Sequence, residues 1–216
     1  MPETANAEGP RQNRVDPFGV IHAVPDRGSF MGNRGIIHDA ANRTLLKRRW
    51  TTKAWIICVC AFKGRQRKVM SHGTYTELFF FDEVTALAAG HRPCFECRRL
   101  AAKTYAGCFA DAHRVADPKV REIDAVLHAQ RLATGGKAVP ITVDKLEDFP
   151  DGTMISVSGA PMALRAGSVL PWSFFGYGDP VPLQVLAAQA ATLITPMATV
   201  AVLNAGYRPN FGGVPN

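Results

Sequence analysis

The chain has 216 residues, 47% of them apolar, with a formal charge of +7. That size and apolar share fit one large domain or two small ones and exclude wholesale disorder. No apolar run reaches the roughly 18 residues a membrane-crossing helix needs, and the opening Met-Pro-Glu-Thr-Ala-Asn-Ala-Glu-Gly-Pro has no apolar signal core. The expectation is a soluble, unsecreted, cytoplasmic protein with no membrane partner.

In chain order, residues 1–16 are polar, with Pro and Gly, and read as a disordered tail. Pro17 to Val24 suits a short strand, and Arg27 to Asp39, with its three glycines, an ordered loop. Trp50 to Phe62 is rich in β-formers. Lys63-Gly64-Arg65-Gln66 then makes a turn, Arg67 to Met70 a return strand, and Glu77 to Phe81 a further strand. Asp82 is placed to cap a helix over Val84 to Ala89, and Gly90 to stop it in a left-handed conformation. A second helix is expected over about Phe95 to His113. Asp117-Pro118 opens a third, which runs to about Ala133 and stops at Gly135-Gly136. From Val139 to Leu193 the short runs Ile141-Thr142-Val143, Met154 to Val157 and Leu183 to Leu186 read as strands, and Val200 to Asn204 as a last helix. The class is therefore α+β. A zinc-nucleated β-hairpin and helix unit lies within a domain at 17–136, followed by a small β-rich part at 137–216.

The cysteines are Cys58, Cys60, Cys94, Cys97 and Cys108. An odd count with two very short spacings does not make a disulfide framework; it fits metal binding or redox chemistry. Cys94 and Cys97 lie in Gly-His-Arg-Pro-Cys-Phe-Glu-Cys-Arg-Arg, just before a helix. Two thiolates so spaced can reach one zinc ion where the backbone turns tightly, and helix-terminal amides stabilise their charge. Cys58 and Cys60, two apart on a strand, share a face. Cys58 with either Cys60 or His72 is the expected completion of the zinc site. Cys108 reads as helix core, and His91 and His113 as weaker options.

The positive charge is concentrated. From Arg43 to Lys68 there are nine Lys or Arg and no Asp or Glu, leaving 16 positive against 18 negative charges elsewhere. Such a stretch is the electrostatic footprint of a polyanion-binding surface. Arg48, Arg49, Lys53, Lys63, Arg65, Arg67 and Lys68 are its candidate nucleic-acid contacts, joined by Arg92, Arg98 and Arg99 beside the cysteines.

Phe79 to Arg99 (FFFDEVTALAAGHRPCFECRR) resembles the end of the N-terminal zinc domain of the Ada DNA-repair family. The likeness is an aromatic strand, a helix ending Ala-Ala-Gly, and then aromatic-Arg-Pro-Cys-x-x-Cys-Arg. It implies that Cys94 and Cys97 are zinc thiolates and that Arg92 and Arg98 face a phosphate backbone. The family's first pair, Cys-x-x-x-Cys, has no counterpart in Gly64 to Met70. One cysteine of that family accepts methyl groups from DNA phosphates, so the likeness does not carry methyl transfer. The rest of the chain faintly resembles uncharacterised bacterial proteins, which implies no activity.

Other features are candidates for chemistry. Asp124 and His128 lie one helical turn apart, so a carboxylate could orient an imidazole. With His38 they make a candidate hydrolase or transferase site in which zinc is purely structural. Asn33, Arg34 and His38 lie in the glycine-rich loop, which could present amides and a guanidinium to an anion. Trp172, Phe174, Phe175 and Tyr177 cluster either as core or as a stacking platform. Val84 to Pro93 and Val200 to Pro209 share six identities in ten positions. The leading function is a zinc-binding protein with a nucleic-acid-binding surface, linked to DNA damage or regulation. The alternatives are the hydrolase or transferase and a thiol-disulfide protein using Cys94 and Cys97.

Overall fold

The computed structural model describes residues 9–66, 68–186 and 189–213, with the backbone alone at 143 and 144. Arg67, one of the expected phosphate contacts, lies outside the described residues. The chain opens with strands β1 (Gln12–Val15), β2 (Ile21–Ala23) and β3 (Phe30–Asn33), then a small hairpin of β4 (His38–Asp39) and β5 (Thr44–Leu45). Strands β6 (Ile56–Val59) and β7 (Leu78–Phe80) lead to helix α1 (Glu83–Ala88), the short β8 (Arg92–Pro93), and helices α2 (Arg99–His113) and α3 (Val120–Gln130). Then come β9 (Val139–Ile141), β10 (Met154–Val157), β11 (Ala160–Arg165), β12 (Ser168–Ser173), β13 (Gly176–Tyr177), β14 (Val181–Pro182) and β15 (Ala191–Leu193), and finally α4 (Met197–Asn204). The α+β class is as expected.

The first sheet runs β2-β1-β7-β3-β6-β8. Its alternation separates two faces. Ile57, Leu78 and Phe80 point into a core shared with Leu87, Tyr105, Ile123 and Leu127. The register places Met31 opposite both Cys58 and Phe79, and all three turn to the other face. Between Leu78 and Ile57 on the core side lies Gly32. A Cβ there would come within 2.2 Å of the Ile56 carbonyl oxygen. Gly32→Ala is therefore expected to cost about 1–3 kcal/mol, as overpacking generally does, and to displace the strand carrying Cys58. A shifted urea midpoint with lowered metal affinity would show both effects.

The second sheet runs β13-β12-β11-β10-β15-β9, with β14 paired to β12. Ile155, Val157, Leu164, Val169 and Leu193 form its own core. Helix α4 leaves this sheet and joins the first core through Ala198, Val202 and Leu203, followed by Tyr207. Val84 and Ala88 of α1 meet Met154, Ala163 and Ile194 in a third cluster between the two layers.

Several expectations need correction. Of the expected tail, residues 1–8 lie outside the described residues, and the remainder contains β1, which pairs with β2 and β7. The glycine loop at Arg27 to Asp39 contains β3, the central partner of β6 and β7. Among the described residues no return strand follows Lys63-Gly64; Val69 and Met70 form a turn, and β6 pairs with β3 and β8. The anticipated zinc hairpin is thus replaced by a parallel β6–β8 pair. Leu183 to Leu186 is a 3-10 turn. Asp117 is left-handed at φ 46° and pairs with Lys119. The start of α3 is instead held by the Lys119 amide donating to Glu122 Oε2 at 2.9 Å.

The repeated segments share one backbone device. Gly90 N–H donates to the Leu87 carbonyl and His91 N–H to that of Ala86, while Gly206 and Tyr207 repeat this with Leu203 and Val202. Both glycines are left-handed, at φ 80° and 107°. This pairing of amides to the last helical carbonyls is a helix-ending turn that requires positive φ.

Candidate metal centre

Strand β8 runs parallel to β6, with Ile56 opposite Arg92 and Ile57 opposite Pro93, so Cys94 arrives beside Cys58. The Cys94 amide donates to the Ile57 carbonyl at 2.9 Å and locks that placement. The chain then turns tightly before α2, with the Arg98 amide on the Cys94 carbonyl at 3.0 Å. This turn brings Cys97 back over β6. The ligand atoms of Cys58, Cys94 and Cys97 all lie within 4.8 Å of one another. That spacing suits three thiolates around one tetrahedral ion.

The electrostatics favour ionised sulfur at one position first. The Cys94 thiol is held down to about 5 by a hydrogen bond with the Cys58 side chain and by the amides of Cys97 and Glu96, against the effect of burial. The Glu96 amide lies 3.4 Å from the Cys94 sulfur. Cys58 is pushed up by its hydrogen bond to Cys94 and by burial, and Cys97 is pushed up by burial. A cation shared by all three would offset that mutual repulsion.

The expected completing ligands are not brought in. Strand β6 ends at Val59, so the two-residue alternation does not extend to Cys60. Cys60 is exposed, with its sulfur 3.5 Å from the Ser29 carbonyl oxygen. His72 lies in an exposed turn and is outside the cluster. Cys108 packs between α2 and α4, its sulfur near the Ala205 carbonyl. His91 is buried against Trp55 and Phe80, and His113 stacks on Phe109.

Cys58, Cys94 and Cys97, together with Cys60, line a cavity of about 190 Å³. Its floor is the outer face of the first sheet: Met31 and Asn33, Ile56 and Cys58, Glu77 and Phe79. Phe62, Val69 and Tyr75 wall it, and Arg65 and Glu96, paired at 2.7 Å, stand at its mouth. Neither Glu77 nor the aromatic walls stood out in the sequence. The one available signal was that Glu77 shares strand parity with Phe79.

No protein-family model, curated protein or solved structure matches the chain. The site is therefore read from its own atoms.

The basic candidates divide into two groups. Arg48, Arg49, Lys53, Lys63, Arg65, Lys68 and Arg99 are exposed. Arg92 and Arg98 are turned inward. Arg92 donates to both oxygens of Asp124, at 2.9 Å each. Arg98 bridges to buried Glu83 at 2.8 Å. Both directions implied for them by the Ada resemblance are thus corrected: they tie the Cys94–Cys97 turn to α3 and α1.

The hydrolase constellation is not assembled. Both Asp124 oxygens are occupied by Arg92, so His128 instead meets Arg131 and Trp50. His38 is buried elsewhere, on Thr76 and the Ser71 carbonyl. Arg34 of the glycine loop is buried against Trp55 and donates to the Gly19 carbonyl, so it does not reach a surface anion. In the aromatic cluster, Trp172 donates to Thr85 and Tyr177 to Asp82 at the start of α1, while Phe175 is 82% exposed.

Proposed function

We propose that this is a zinc protein that engages nucleic acid through the basic segment Arg43 to Lys68. The observation that carries the zinc half is the convergence of Cys58, Cys94 and Cys97 from two adjacent strands and one turn. Three buried or half-buried thiols meeting by chance would repel on ionisation, whereas a bound cation makes their proximity favourable. The same convergence disfavours a plain thiol-disulfide pair, since the third sulfur shares the site with the Cys94–Cys97 turn.

The nucleic-acid half rests on charge and exposure. Lys47, Arg48, Arg49, Lys53, Lys63, Arg65 and Lys68 are exposed, within a stretch that contains no acidic residue. Lys63 and Arg65 lie over the Phe62 ring, at 5.2 and 5.3 Å from its centroid, on the wall of the cavity. This places cations beside an aromatic face, the combination that holds single strands. Regulation or repair of DNA is the setting that the Ada resemblance implies.

The test is fluorescence anisotropy with labelled single and double strands at two salt concentrations. Replacing Arg48, Arg49 and Lys53 together by alanine is expected to weaken binding across sequences. It should also flatten the salt dependence by about 0.7–0.9 per lost phosphate contact. No association at low salt would remove the nucleic-acid half while leaving the zinc half standing.

A further inference from the structure

A tetrahedral zinc with three protein ligands keeps one position for an exchangeable group, whereas closed structural sites use four. Here Cys58, Cys94 and Cys97 line a cavity; Cys60 lines it too, but stands outside the three-sulfur cluster, with its sulfur on the Gly28 and Ser29 carbonyls at 3.9 and 3.5 Å. The cavity itself has two unlike ends. Glu77 is only 2% exposed, and its Oε2 accepts the Met70 amide at 2.8 Å. Its Oε1 is buried without a hydrogen-bond partner, though it belongs to a residue that lines the cavity. A buried acceptor left unmatched is costly, so a donor is wanted there. Asn33, next to Glu77 across the sheet by the β3–β7 register, lines the same end.

Between the two ends the walls are Met31, Phe62, Val69, Tyr75 and Phe79. Glu77 and Cys58 lie two strands and two residues apart, which by ordinary sheet spacings is about 12 Å between Cα atoms. Strand side chains stand roughly perpendicular to the sheet, so most of that span stays open above the floor, enough for one ring. Apolar cavities of about 150 Å³ admit benzene, and this one is about 190 Å³.

We propose that the metal's fourth position opens into this cavity, and that the cavity binds a small aromatic ligand with an N–H donor for Glu77 and a soft donor atom for the metal. The proposal rests on the zinc reading above and gives that centre a ligand class. It makes the centre one of ligand exchange, with Cys60 outside the coordination sphere.

Full-length protein loaded with cobalt(II) in place of zinc gives visible bands that report coordination. Thiophenol and 4-aminothiophenol are the probes: both carry a soft sulfur, and only the second carries a para N–H donor. Both are expected to shift the bands in the native protein and in Cys60→Ser. The amino compound should bind about ten-fold tighter, the worth of roughly one added hydrogen bond. In Glu77→Gln the amide can keep its oxygen on Met70 and turn its NH2 to the cavity, so the preference should fall to about one. Unchanged bands on adding either probe would overturn the open position, and so would a native spectrum altered by Cys60→Ser. A shift without preference, or a preference that survives Glu77→Gln, would overturn the ligand class. Failure to take up cobalt at all would instead overturn the zinc reading itself.

Discussion

Cys94→Ser is expected to purify without stoichiometric zinc, and so is Cys58→Ser, whereas Cys60→Ser and His72→Ala retain the metal. Cys94 sits at the meeting of β8 with the turn before α2, 7% exposed, with its amide fixed to β6. Changes to residues that merely support metal ligands cost about 10–100-fold in affinity, so loss of one of three thiolates should exceed that. Elemental analysis of purified protein, followed by competition against a chromogenic chelator, separates the two groups of variants. If Cys60→Ser lost metal as readily as Cys58→Ser, the three-sulfur assignment would be wrong. Acid should act in the same direction. Zinc binds thiolates, and the Cys58 and Cys97 thiols are raised, so their protons must leave on binding. Affinity therefore falls as pH decreases. Below about 5 it should fall more steeply, because Cys94 then also takes up a proton.

Asp124→Ala is expected to destabilise the fold by about 3–5 kcal/mol, the usual result of stranding one partner of a buried ion pair. The Arg92 and Asp124 side chains are only 6% and 7% exposed, and they meet through two parallel hydrogen bonds. Removing the carboxylate leaves a guanidinium in the interior whose one remaining acceptor among the described residues is the Pro93 carbonyl. Because Arg92 lies two residues before Cys94, the Cys94–Cys97 turn loses its tie to α3 as well. Urea denaturation of zinc-loaded protein measures the loss. The double replacement Arg92→Leu with Asp124→Leu should recover most of it, since an apolar pair of similar volume leaves no charge unmatched. A single-variant loss below about 1 kcal/mol would show that the interior tolerates the lone arginine.

Local chemistry made part of this architecture legible in the sequence. Asp82 caps α1 by accepting the Thr85 amide, and Gly90 ends it, because caps and left-handed stops depend on neighbours within a few residues. Met154 to Val157 is a strand with the expected bounds, because its apolar run is short and punctuated on both sides. The pairing partners were not legible. Lys63-Gly64 has the composition of a hairpin turn, and both residues have positive φ, yet β6 finds its neighbours far away in β3 and β8. Non-local register leaves no mark within a window of a few residues. The same limit applies to the site. Cys94 and Cys97 are visible as a spaced pair, but the choice of Cys58 over Cys60 depends on where β6 stops. Arg92 and Arg98 carry the composition of a basic surface; only the positions of Asp124 and Glu83 reveal that they are internal ties.

The return of α4 into the first core bears on how the protein matures during synthesis. The thiols of Cys58, Cys94 and Cys97 leave the ribosome about 100 to 150 residues before Ala198, Val202, Leu203 and Tyr207 complete the layer behind them. Tyr207 and the Asn210 amide then reach Glu83, the partner of Arg98. Until those last residues emerge, the nascent chain exposes an unfinished apolar layer beside nucleophilic sulfur. Incomplete chains of this kind invite aggregation and misassembly. Early metal capture would protect the sulfurs through that interval, so zinc supply during translation, and not only afterwards, should set the yield of folded protein.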